Sequence, residues 1–190
     1  MNTQSRSSYA ARAGMIAAVY AALTILCLTV LQGLAWGPVQ FRISEAVVVL
    51  ALLTPAGVPG LAIGCVLANL AGLALSASGA LGLLDVVFGS VATLLGALWM
   101  RRFKQNTGLA LLGPVIANAL IVPAYLPLIL EAYGFYTIPF TTIDLAGSYP
   151  LMYLFGVLAI GIGEALVIYG LGLPLLKALK NTTLFKKENE

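Results

Sequence analysis

Six side chains sit where hydrocarbon does not favour them. Arg42, Glu45, Asn69, Asp85, Asn118 and Glu164 all lie inside, or at the ends of, strongly apolar runs. A charge deep in such a run costs on the order of a few kcal/mol, so those that remain face a cavity or a partner. Carboxylates accept hydrogen bonds, a guanidinium donates them and carboxamides do both, which lets this set hold a small polar molecule from several sides. Each residue also has a plain structural reading. Arg42 and Glu45 are three residues apart and suit a salt bridge on one helix face. Asp85 suits the positive end of a helix. Asn69 and Asn118 serve interhelical hydrogen bonding as readily as ligand contact. Glu164 has no obvious local partner and is either a ligand acceptor or a contact to another helix. Aromatic rings add a stacking surface for a flat ligand: Trp36, beside Gly37 and Pro38 and near Gln40, is grouped with the site, as is Tyr125. Tyr133, Tyr136 and Tyr149 suit either a cap over that site or an interfacial belt. The candidate ligand set is therefore Trp36, Gln40, Arg42, Glu45, Asn69, Asp85, Asn118, Tyr125 and Glu164.

Other chemistry is absent. The 190 residues include no histidine, so Ser-His and Cys-His catalysis and His-based metal sites are excluded. No GxxxxGK[ST] loop occurs, so ATP-driven work would need another subunit. Cys27 and Cys65 lie in apolar runs without CxxC spacing and are expected to be buried free thiols. An enzyme is not expected, nor a bound cofactor or metal.

The elements that must position these residues follow from composition. Hydrophobic residues make up 61% of the chain and charged residues 9%, with a mean hydropathy of +1.00. A soluble domain carries about a quarter charged residues. Successive apolar runs approach the roughly 20 residues needed to cross a bilayer, and they lack the period-two alternation of a barrel strand. The backbone in lipid must then be helical. The runs predict an all-α integral membrane bundle of about six helices, near 9–33, 43–54, 57–76, 84–100, 108–130 and 150–178. The second is too short to span comfortably: it is tilted, continuous with the loop before it, or half of a broken element. We expect one transmembrane domain over residues 1–190, with short tails at 1–8 and 181–190. The first span lacks a convincing cleavage site and is expected to be retained.

Basic residues fall at every second helix end: Arg6 and Arg12; Arg101, Arg102 and Lys104; Lys177, Lys180, Lys186 and Lys187. The positive-inside rule makes both termini cytoplasmic and puts the loops holding Trp36 to Arg42, Ser76 to Leu84 and Glu131 to Tyr149 outside. Most of the polar candidates then belong to the outer half. The net charge of +3 is accounted for by the inner ends and needs no nucleic-acid partner. In the first helix, Ala13, Ala17 and Ala21, and beside them Gly14, Ala18 and Ala22, repeat at four-residue spacing. Small residues at this period admit a close helix, from a partner or from within the bundle.

Several segments together resemble a known family: Phe41-Arg-Ile-Ser-Glu-Ala46, Gly64 to Asn69, Leu83-Leu-Asp-Val-Val-Phe-Gly-Ser-Val-Ala-Thr-Leu-Leu95, Gly163-Glu-Ala, and Leu171-Gly-Leu-Pro-Leu-Leu176. They are similar to the queuosine-precursor transporter (QueT) family of bacterial substrate-capturing S components of energy-coupling factor (ECF) importers. The resemblance implies a multi-pass protein of the plasma membrane that binds a 7-deazaguanine such as preQ1 from outside. It then implies docking on a module of one transmembrane subunit and two ATPases, with the small-residue face of helix 1 presented to that module. For such a ligand, a carboxylate can take the N1-H and exocyclic amine of the guanine-like edge in parallel. Glu45, Asp85 or Glu164 can supply it, a second acid can hold the aminomethyl cation, and Asn69 or Asn118 can serve the ring carbonyl and pyrrole N-H. Capture of another vitamin-like heterocycle, a membrane assembly role without a pocket, and self-contained secondary transport are the competing readings.

Overall fold

The computed structural model describes residues 3–30, 42–75, 79–132, 148–180 and Thr182. The described residues form six helical segments: α1 (Thr3–Val30), α2 (Ile43–Leu53), α3 (Gly57–Leu75), α4 (Gly79–Arg102), α5 (Thr107–Ala132) and α6 (Tyr149–Lys180). Five are long and apolar enough to cross a membrane, and α2 is the shorter apolar one. The all-α bundle of about six helices is thus as expected.

Polarity is arranged for a lipid solvent. Leucines, isoleucines and valines such as Val19, Leu26, Ile63, Leu67, Leu158 and Ile162 face outward. Thr24, Ser44, Glu45, Asn69, Ser90, Asn118 and Glu164 face inward and are buried. In water the two sets would exchange places.

The short helix is the axis of the bundle. Ser44 through Leu53 are all buried, which is how a helix that is apolar around its circumference must be placed. It starts as a tight 3-10 helix over Ile43–Val49 and finishes as α-helix over Leu50–Leu53. Its side chains pack with Tyr20, Leu61, Met100, Leu111, Ile168 and Leu176 from the surrounding helices.

Helices α1 and α3 approach closely because glycine removes the Cβ between them. A Cβ on Gly60 would lie 2.8 Å from the Ala13 carbonyl oxygen, and one on Gly64 would lie 2.8 Å from that of Ala17. This corrects part of the partner-face expectation. Ala13, Ala17 and Ala21 are buried, and α3 already packs against their row. The neighbouring row, Gly14, Ala18 and Ala22, faces outward, with nothing within 4 Å of a Cβ built on Gly14.

Three prolines, Pro114, Pro123 and Pro127, lie inside α5 without ending it, a tolerance seen where neighbouring helices supply the lost contacts. Two helices widen locally to π geometry, α4 at Asp85–Gly89 and α6 at Ile168–Gly172. Such widenings change which way the following side chains face and recur at functional sites.

The start of α1 and the ends of α2, α4 and α6 meet at one end of the bundle. Arg101 Nη1 donates to the Ala51 carbonyl at 3.3 Å, and Tyr169 donates to that of Gly108 at 3.1 Å. Arg101, Arg102, Lys177 and Lys180 therefore gather at the end opposite Arg42 and Asp85. Cys27 and Cys65 are buried free thiols.

Candidate functional site

The first turn of α2 carries Arg42 and Glu45, and in a 3-10 helix side chains three apart eclipse one another. Backbone geometry fixes the turn, with the Glu45 N–H donating to the Arg42 carbonyl at 2.9 Å. The Arg42–Glu45 salt bridge, one of the readings that their spacing left open, does not form. Instead the two side chains recruit different helices and build two adjoining polar groups.

The first group surrounds Asp85. Arg42 Nη2 lies 3.1 Å from Asp85 Oδ2, a cross-bundle ion pair that is 16% and 29% exposed on its two sides. Tyr125 donates to Asp85 Oδ1 at 2.7 Å, so both carboxylate oxygens are engaged. Asn69 Nδ2 donates to the Asp85 backbone carbonyl at 2.7 Å, a group that the π segment turns toward α3. Asn69 Oδ1 is also in loose contact with Arg42 Nη1 at 3.5 Å. Gly89, one turn beyond Asp85, makes room for this arrangement. A Cβ there would lie 3.0 Å from Asn69 Nδ2 and 3.1 Å from Asp85 Oδ1. The Phe88 ring stacks on Tyr125 with centroids 5.8 Å apart, and this group thus has an aromatic wall.

The second group surrounds Glu45. Tyr20 of α1 donates to Glu45 Oε1. Glu164, on α6 where that helix packs against α2, is close enough to Glu45 for the two acids to interact, and Asn118 of α5 donates to Glu164 Oε1 at 2.7 Å. Beside it, Thr24 donates to Ser44 Oγ at 2.7 Å.

Seven of the nine candidates thus converge: Arg42, Glu45, Asn69, Asp85, Asn118, Tyr125 and Glu164. Trp36 and Gln40 lie outside the described residues, as do Tyr133 and Tyr136 of the expected cap. Tyr149 donates to the Ala124 carbonyl at 2.7 Å, which ties the start of α6 to α5. Three buried polar atoms among the described residues have no partner: Arg42 Nε, Glu45 Oε2 and Ser90 Oγ. Buried groups are ordinarily satisfied, so a donor, an acceptor and a hydroxyl left open in one region are unmet capacity. With donors, acceptors and charges gathered from neighbouring helices, the arrangement can bind and orient a polar molecule.

Reading the sequence did not identify Tyr20, Gly89 or Ser90. The signal for Tyr20 was available: a single phenol in the middle of an apolar span must find an acceptor.

The family model described as QueT transporter matches residues 10–181. The chain belongs to the QueT transporter family. The match reaches into all six helical segments and includes the positions of both polar groups. It is a multi-pass membrane transport protein and not an enzyme. No curated protein and no solved structure matches the chain.

Proposed function

We propose that this QueT-family protein is the substrate-capturing S component of an ECF-type importer in a bacterial plasma membrane, and that its ligand is a 7-deazaguanine such as preQ1. The observation that carries the reading is the convergence of three carboxylates, a guanidinium, two carboxamides and two phenols around the first turn of α2, with a donor and an acceptor still unmet. Inside a membrane, ionisable residues that face the bundle interior pair with one another and mark substrate pathways. A 7-deazaguanine combines N–H donors, a ring carbonyl and a flat stacking surface, and the site offers acceptors, donors and the Phe88–Tyr125 wall in return. The gathering of Arg101, Arg102, Lys177 and Lys180 at the opposite end supports a cytoplasmic placement of that end and an outward-facing site. With no phosphate-binding loop in the chain, energy comes from a separate ATPase module, which the outward row Gly14, Ala18 and Ala22 would meet.

Calorimetry of the purified chain in detergent tests this directly, with preQ1, preQ0, guanine, thiamine and riboflavin as titrants. The expected result is saturable binding confined to the 7-deazaguanines. Saturable binding of thiamine or riboflavin instead would move the protein to another vitamin-like substrate, and uptake by vesicles holding this chain without any ATPase would overturn the S-component assignment.

A further inference from the structure

The three acids of the site are not equivalent. Asp85 has both oxygens occupied, one by Arg42 and the other by Tyr125, and its charge is balanced by the guanidinium. Glu45 and Glu164 have no such balance. They are 3% and 6% exposed, and they come from different helices that pack together and bring the two acids close enough to interact. Neither has an ion-pair partner among the described residues, because the Arg42 guanidinium is turned to Asp85. Each holds only neutral donors: Tyr20 on Glu45 Oε1 and Asn118 on Glu164 Oε1. Glu45 Oε2 is fully buried and has no hydrogen-bond partner among the described residues.

Two adjacent carboxyls in a water-poor interior cannot both be ionised unless a cation lies with them, and otherwise they share a proton. We infer that Glu45 and Glu164 together form a cation site that takes a primary ammonium group of the transported molecule between them, whereas Asp85 stays within the protein and positions Arg42. The inference rests on the capture role proposed above and assigns the acids within it. Geometry favours an ammonium over the planar donor edge of a guanine-like ring. An ammonium sends three donors from one point and can serve two separate carboxyls at once. A planar edge calls for both oxygens of one carboxylate in parallel, and here Oε1 of each acid is already engaged by a protein donor.

The test compares two probes that share a ring and differ in charge: preQ1, with its aminomethyl cation, and preQ0, with a neutral nitrile. Calorimetry should show Glu164→Gln weakening preQ1 by about tenfold or more while preQ0 changes by less than about threefold. Glu45→Gln is the second variant. Its new carboxamide oxygen can still accept from Tyr20, and the one that Glu164→Gln introduces can still accept from Asn118, so both variants are expected to fold. Equal losses for the two probes, or unchanged preQ1 affinity in both variants, would overturn the cation site. If neither probe binds the wild-type chain, the 7-deazaguanine assignment fails, and the cation site is judged by thermal unfolding in methylammonium chloride. Methylammonium should raise the wild-type midpoint and leave Glu164→Gln unmoved. An equal rise in both proteins, no rise in either, or an equal effect of sodium or potassium chloride sinks the ammonium assignment.

Discussion

At the scale of single residues, the site depends on contacts that leave little room for substitution. Gly89 is the sharpest case. A methyl group there would press on Asn69 Nδ2 and Asp85 Oδ1, so Gly89→Ala should destabilise the protein by about 1–3 kcal/mol through overpacking. Thermal unfolding in detergent checks this. The Arg42–Asp85 pair calls for a double-mutant cycle. Arg42→Met leaves Asp85 without its cation and should cost about 2 kcal/mol, between the values for exposed and fully buried pairs. Adding Asp85→Leu should recover part of that loss; a double variant less stable than the single one would mean that the pair contributes more than charge balance. The residue types needed for this chemistry were legible in the sequence, but the partnerships were not. Arg42 and Glu45 suggested each other by spacing, yet their partners lie 43 and 25 residues away, at Asp85 and Tyr20. Spacing along one helix cannot report which other helix stands opposite.

At the scale of elements, α1 meets two different surroundings with its two small-residue rows. The row Ala13, Ala17, Ala21 is occupied by α3, so Gly64→Ala should disturb the bundle itself and lower the unfolding midpoint, while Gly14→Ala should leave it within about 0.5 kcal/mol of wild type. Leucine at Gly14 or Ala18 separates the proposed docking role from folding. Such variants should keep ligand affinity and lose co-purification with the ATPase module; retained co-purification would remove this row from the interface. The helices themselves were readable because lipid enforces long apolar runs, and five of the six differ from expectation mainly at their ends. Helix α4 begins at Gly79 and not near 84, because a short 3-10 turn precedes the apolar run. The two rows of α1 read as one face in the sequence. They are one residue apart, about 100° around the helix, which is enough to turn one inward and the other out.

At the scale of the whole molecule, the separation of basic end from polar site gives a topology that can be measured. In intact cells, Ala80→Cys should react with a membrane-impermeant maleimide, while Gln105→Cys should react only after permeabilisation. Cys27 and Cys65, each 1% exposed, should stay silent and need no removal. The opposite labelling pattern would invert the protein in the membrane. The length of α2 adds a dimension to this picture. Seven residues of 3-10 helix and four of α-helix reach about 20 Å, against a hydrocarbon thickness of about 30 Å. A helix of that length cannot reach both membrane faces, and Arg42 stands at one of its ends. Backbone at membrane depth must be roofed by protein or wetted by water. The short central helix therefore leaves a step among longer neighbours, and that step carries a guanidinium paired with the Asp85 carboxylate of α4.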